Sequence, residues 1–181
     1  MTVTSERFTR RQMINAWCMY DWANSAFATT ILAAVLPVYY SQVAASGLSA
    51  ATATAYWGLG LSLSLAIVAV LSPILGTISD VVRSKKRFLT AFALLGTVGT
   101  GLLVFVDTGD WFLASVLFVL ARIGFTGANV FYDALLPHIV EEEAQDAVST
   151  RGFAMGYLGG GVLLAINVLM IEALPGTWGP R

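Results

Sequence analysis

Long apolar stretches alternate with short polar connectors along the whole chain. The apolar stretches cover roughly residues 13–43, 53–79, 88–106, 111–136 and 153–171. Each holds about the 20 residues that an α-helix needs to cross ~30 Å of hydrocarbon. Because a backbone in lipid must satisfy its own hydrogen bonds, runs of this length predict helices rather than strands. The pattern therefore predicts an all-α integral membrane protein with about five transmembrane helices.

The composition supports a lipid environment. Hydrophobic residues make up 57% of the chain and charged residues 12%, whereas a soluble domain usually carries about 25% charged residues. A chain of 181 residues cannot build a core large enough to hide so much apolar surface from water. The lipid bilayer is thus the expected partner, and a net charge of −1 gives no indication of a nucleic-acid partner.

The sequence offers little for metal binding or covalent catalysis. Cys18 is the single cysteine, which excludes an internal disulfide, and His138 is the single histidine. A Cys/His metal site is therefore not predicted. Cys18 has no nearby base and His138 lies outside the apolar stretches, so the nucleophile–base pair of an enzyme is missing. We expect no cofactor and no enzymatic activity.

The basic residues predict the orientation of the helices. Short connectors make neighbouring helices antiparallel, and the connectors before residues 53 and 111 hold no Lys or Arg. The basic residues lie instead in the N-terminal segment, the second connector and the start of the fifth stretch: Arg7, Arg10, Arg11, Arg83, Lys85, Lys86, Arg87 and Arg151. The positive-inside rule then places the N-terminus in the cytoplasm. The expected location is the inner membrane of a cell, or the vacuolar membrane if the host is eukaryotic.

Small residues on the fifth stretch recur at four-residue spacing. Gly152, Gly156 and Gly160 form a double GxxxG pattern. Such a face lets two helix backbones approach closely, so we interpret it as a packing surface rather than a chemical site. Pro37 and Pro73 lack an N–H group and can kink the first and second helices.

Polar residues within the fourth stretch share one helix face. Arg122, Thr126, Asn129 and Asp133 fall within an arc of roughly 60°. An arginine near the middle of the bilayer costs at least ~2.5–3.5 kcal/mol unless a partner or water compensates it. This face is therefore not expected to contact lipid.

The first stretch carries a second polar face, formed by Asp21, Asn24 and Ser25. We expect the first and fourth helices to line a common water-filled cavity, with Asp21 and Arg122 close enough to interact. Charged groups inside membranes usually mark paths for solutes, ions or protons. The alternative interpretation is a buried ion pair that only fixes the register of the two helices.

The second connector resembles the cytoplasmic signature of the major facilitator superfamily. A glycine, three intervening residues, an aspartate and a basic cluster carry the resemblance: Gly76, Asp80, Arg83, Lys85, Lys86 and Arg87. In that superfamily the glycine permits tight helix contact, and the aspartate joins a charged latch that holds one alternating-access state. Val81 stands where the superfamily has a basic residue, and the basic cluster is shifted by about one residue. The alternative is a charged loop that serves only as a topology signal.

Further motifs are similar to the vacuole effluxer branch of that superfamily. They are the runs 17–27, with Tyr-Asp-Trp-Ala-Asn-Ser at its centre, 131–137 and 152–161. Arg122 followed by small residues also resembles a fourth-helix pattern that the superfamily ties to proton coupling. Fungal members of the branch export amino acids from the vacuole after autophagy. The resemblance implies a secondary active transporter of a small polar solute, with amino-acid efflux and protons as candidates for cargo and coupling ion.

The superfamily has twelve helices in two six-helix halves, whereas this sequence predicts five spans. The resemblance therefore implies that residues 1–181 form an incomplete N-terminal half, either as a fragment or as a chain that a second chain completes. The competing function is a non-transporting membrane scaffold or subunit. The expected buried pair of Asp21 and Arg122 disfavours it, because a scaffold has little use for so costly a charge in mid-membrane.

Overall fold

Five helical spans form the protein. The computed structural model describes residues 3–81 and 84–173, with side chains from residue 9 onward. The spans, which we call first to fifth, are long and apolar enough to cross a membrane: Thr9–Ala44, Ala50–Val81, Lys85–Phe105, Trp111–Ile139 and Glu142–Ala173. No strand occurs among the residues that the structure describes. The predicted all-α architecture with five membrane-crossing helices is confirmed.

The helical conformation of the first span changes along its length. An α-helix over Val3–Ala26 continues as a π-helical segment, a short α-helix and a second π-helical segment, over Phe27–Ala34, Val35–Tyr39 and Tyr40–Ala44. Pro37 lies between the two wider segments. Its ring clashes with the carbonyl four residues earlier in regular α-helix, and the wider turns provide the necessary room. The helix thus accommodates the proline without ending.

The later spans contain the helices Ala50–Val81, Lys85–Leu102, Trp111–Asp133, Leu136–Ile139 and Glu142–Ala173, with a 3₁₀ turn over Leu103–Phe105. The fifth span starts at Glu142, in the polar segment between the apolar stretches over residues 111–136 and 153–171. Glu142 and Glu143 occupy its first turn, where the partial positive charge of a helix N-terminus favours carboxylates. The acidic residues therefore begin a long helix.

Helix pairs pack through small residues. The first span packs mainly against the fifth, and the third and second spans pack against the fourth. Gly152 lies against the ring of Trp17, and a Cβ atom added to Gly160 would lie 2.7 Å from Thr29 Cγ2. Gly124 of the fourth span meets the Gly96 backbone of the third. The fourth span is central, since 44% of its most apolar segment is buried, against 11–22% of the corresponding segments in the other spans.

Candidate functional site

The first and fourth spans meet along a contact that we call the polar seam. Asn24 Nδ2 donates a hydrogen bond to Asn129 Oδ1 at 2.7 Å. Trp17 Nε1 donates to the Tyr132 carbonyl at 3.1 Å, and the two rings stack with their centroids 4.2 Å apart. Two sequence-predicted polar residues, Asn24 and Asn129, are therefore in direct contact. The aromatic part of the seam cannot be found from polarity alone.

Arg122 lies beyond the Asn24–Asn129 bond, towards the face of the bundle opposite the N-terminus. No acidic side chain of the described residues lies within 4.0 Å of its guanidinium group. Its Nε atom is buried and has no hydrogen-bond partner in the described part of the chain. Thr126 and Asn129 share its helix face. Among the described residues, Arg122 is thus a cation without a counter-charge, on a polar helix face.

The expected contact between Asp21 and Arg122 is not formed. The Asn24–Asn129 bond fixes the register of these antiparallel helices. Asp21 lies three residues from that bond towards the N-terminal face, and Arg122 lies seven residues from it towards the opposite face. At 1.5 Å per residue, the two backbones are about 15 Å apart along the helix axes. The sequence-based interpretation placed Asp21 and Arg122 at the same depth, because the sequence alone does not reveal a contact that sets the register of the two helices.

Asp133 is the charged group at the level of Asp21. It lies four residues from Asn129 towards the N-terminal face of the bundle, so the backbones of Asp133 and Asp21 differ in height by only about 1.5 Å. Asp133 is exposed, whereas Asp21 is partly buried. Along the seam the order is therefore acidic pair, amide pair, then Thr126 and the cation.

The fifth span leaves space for the polar face of the first. A Cβ atom added to Gly156 would lie 2.6 Å from Ser25 Oγ and 2.9 Å from Asp21 Oδ2. Glycine at this position therefore permits both polar side chains to sit between the two helices. Thr29 Oγ1 also donates to the Gly160 carbonyl at 3.1 Å. The glycine pattern thus serves the candidate site as well as helix packing.

The turn between the second and third spans is tied to the end of the fourth. Lys85 Nζ forms an ion pair with Asp80 Oδ1 at 2.8 Å. The same ammonium group lies 3.4 Å from the Ala134 carbonyl and 3.3 Å from His138 Nε2. The sequence motif indicated Asp80 and Lys85 but missed His138, because that residue is distant in sequence.

The other residues of this motif differ in their surroundings. A Cβ atom added to Gly76 would meet no atom within 4 Å, so no close helix contact forms there in the described part of the chain. Arg83 lies outside the described residues. Lys86 and Arg87 are exposed, and neither forms an ion pair with a described acidic residue.

Comparisons with known proteins identify related sequences. A family profile described as "Vacuole effluxer Atg22 like" matches residues 47–178. The uncharacterized MFS-type transporter YxiO of Bacillus subtilis (strain 168) is 42% identical over 167 residues, which cover 92% of this chain and 39% of that protein. Autophagy-related protein 22 of Coccidioides immitis (strain RS) is 26% identical over 180 residues, covering 76% of this chain and 30% of that protein. No solved structure matches the chain significantly. The chain thus spans well under half the length of these curated relatives.

Proposed function

Because the chain belongs to the vacuole effluxer Atg22-like family, we propose that it forms part of a secondary active transporter. In this proposal a small polar solute crosses the membrane by alternating access. The family resemblance indicated by the sequence motifs is confirmed by the comparisons. The chain is a multi-pass membrane protein, and its basic residues support a cytoplasmic N-terminal face.

The observation that carries the proposal is the order of polar groups along the seam. Burying amide and charged groups between membrane helices costs free energy unless a partner group, water or a solute interacts with them. Arg122, which has no counter-charge in the described residues, offers a binding group for an anionic part of the solute. Asp21 and Asp133 offer acceptors for a cationic part. This chemistry supports amino-acid efflux as the finer hypothesis.

The distance between these charges determines how they would act. A backbone separation of about 15 Å between Asp21 and Arg122 exceeds the distance between the ammonium and carboxylate groups of a free amino acid. The two charges would therefore meet a solute in succession along its path. Asp21 and Asp133 are also the groups that could carry a coupling proton, because carboxylates form proton relays within membranes.

The transporter would need more protein than this chain contains. Carriers of this superfamily place the solute between two pseudo-equivalent halves, and the chain covers 39% of its Bacillus relative. We propose that a C-terminal half, or a second chain, completes the solute path along the polar seam. The contact of Lys85 with Asp80 and the end of the fourth span would serve as the latch on the N-terminal face.

Flux measurements in proteoliposomes test this function. We would reconstitute the chain alone, and together with the part of the Bacillus relative that it does not cover, and follow efflux of labelled amino acids. Flux is expected only from the combination. Arg122→Gln and Asp21→Asn should abolish it, whereas the matched change Val98→Ala, at an exposed apolar position of the third span, should retain it. Normal insertion with no flux from either preparation would favour the scaffold function.

A further inference from the structure

His138 lies where the ends of three spans meet at the N-terminal face. It is exposed at the end of the fourth span, and its Nε2 atom lies 3.3 Å from Nζ of Lys85 at the start of the third span. The same ammonium group contacts Asp80 of the second span at 2.8 Å and the Ala134 carbonyl at 3.4 Å. We call these three contacts the Lys85 tether. The single histidine of the chain is thus part of it.

The contact between Lys85 and His138 requires one protonation state of the imidazole. An ammonium group has three donors and no acceptor, so Nε2 must accept the hydrogen bond. Nε2 is an acceptor only in the neutral ring that carries its proton on Nδ1. In the imidazolium both nitrogens are donors, so the hydrogen bond is lost and two positive charges lie side by side. The contact is therefore attractive with a neutral ring and repulsive with a protonated one.

The surroundings of the ring carry more positive than negative charge. His138 lines a cavity of about 1130 Å³ at this face. In the described part of the chain, one carboxylate and three cations of the second and third spans share that cavity: Asp80, Lys85, Lys86 and Arg87. Its other titratable groups are the phenols of Tyr20 and Tyr132, and tyrosines ordinarily stay neutral well above pH 8. A protonated His138 would add a further positive charge to this set.

The charged groups on the other side of His138 do not line its cavity. The short helix Leu136–Ile139 also packs against the first and fifth spans. There Arg10 pairs with Glu141 at 3.2 Å, and both line a separate cavity with Glu143. Asp133 of the preceding helix is likewise not among the residues that line the His138 cavity. Among the described residues, Asp80 is thus the carboxylate on this side, and it is already paired with Lys85.

We propose that His138 makes the Lys85 tether sensitive to pH on the N-terminal side of the membrane. Histidine is the side chain whose charge ordinarily changes between pH 5 and 8. The neutral ring accepts a hydrogen bond from Lys85, which holds the turn between the second and third spans to the end of the fourth. When the ring takes up a proton, repulsion between the two cations loosens this connection. The regulatory role rests on the proposed function, because the tether acts as a latch only in a carrier.

Amide hydrogen exchange at two pH values tests the switch. We would reconstitute the chain in lipid nanodiscs and compare protection factors, which are corrected for the intrinsic effect of pH on exchange, at about pH 7.5 and about pH 5.5. Protection of amides 87–90 should fall about five-fold at the lower pH, the scale set by two unit charges in contact in water. Amides 95–98, in the middle of the third span, are the internal reference and should not change.

Two substitutions of the exposed His138 fix its charge. His138→Gln stays neutral and keeps an acceptor for Lys85, so protection of amides 87–90 should remain high at both pH values. His138→Lys stays charged, so protection should be low at both. Lys86→Gln removes a neighbouring cation outside the tether and should keep the pH response of the unmodified chain.

Several results would overturn the inference. Protection that does not depend on pH in the unmodified chain would show that the charge of His138 does not act on the tether. An equal fall in His138→Gln would assign the response to another group, and a rise at low pH would show that Asp80 binds the imidazolium and tightens the turn.

Flux from the two-part preparation separates this inference from the proposed function. Flux without a pH-dependent tether would refute the switch and leave the transporter. A pH-dependent tether without flux at either pH would support the switch and refute the transporter.

Discussion

The hydrogen bond between Asn24 and Asn129 gives the most direct test of the seam. Each side chain loses its partner if the other is replaced by alanine, so Asn24→Ala and Asn129→Ala should both destabilise the bundle. Polar contacts between membrane helices average about 0.6 kcal/mol in double-mutant cycles and reach about 1.7 kcal/mol. The donor–acceptor distance of 2.7 Å is short for an amide pair, and the pair is partly buried. We therefore expect a coupling energy in the upper part of that range.

The same helices provide a matched control. Asp21→Asn and Arg122→Gln form a second cycle, between groups whose backbones lie about 15 Å apart along the helix axes. Mutations at this distance should be additive within about 0.3–0.5 kcal/mol. Reversible unfolding in bicelles, with each single and double variant, measures both coupling energies under one condition.

The two cycles together decide the register of the seam. Strong coupling of Asn24 with Asn129, and additivity of Asp21 with Arg122, is the result that the geometry requires. A coupling below about 0.3 kcal/mol for the asparagine pair would refute the seam. Strong coupling between Asp21 and Arg122 would restore the ion pair that the structure does not contain, and it would remove the argument for an anion-binding role of Arg122.

Three further predictions concern packing, charge and the turn. Gly124→Ala should lower the free energy of unfolding by about 1–3 kcal/mol through overpacking, because the added Cβ would meet the backbone of the third span. Gly101→Ala is the control: its Cβ would lie in open space, so it should be neutral or stabilising in the isolated chain. Arg122→Gln should raise the efficiency of membrane insertion, measured by glycosylation mapping, while abolishing flux; a drop in insertion would contradict the cost assigned to the charge. Lys85→Gln should speed amide hydrogen exchange at the start of the third span, whereas Lys86→Gln should not. Equal exchange rates in the two variants would contradict the role of Lys85 in tying this turn to the end of the fourth span.

Features that depend on a single helix could be predicted from the sequence, whereas contacts between helices could not. The length of each apolar stretch determines a span, and the angular position of Asn24 and Asn129 on their helices predicts polar faces. Relative depth is different, because an error of a few residues at a helix end shifts a side chain by several ångströms. The assumed contact of Asp21 with Arg122 failed for this reason. The His138 contact required knowledge of which helix ends are neighbours.

The side-chain ion pairs of the described residues differ in how firmly they would hold the N-terminal face closed under the proposed function. Both pairs, Arg10 with Glu141 and Lys85 with Asp80, lie at that face. Exposed ion pairs contribute only about 0–1 kcal/mol, so the Arg10–Glu141 pair, exposed on both sides, cannot hold the helices together. Lys85 is 16% exposed and also contacts the end of the fourth span, which makes it the stronger tether. Under the proposed function, the Lys85 contact would close one state of the carrier and would still be weak enough to break in each transport cycle.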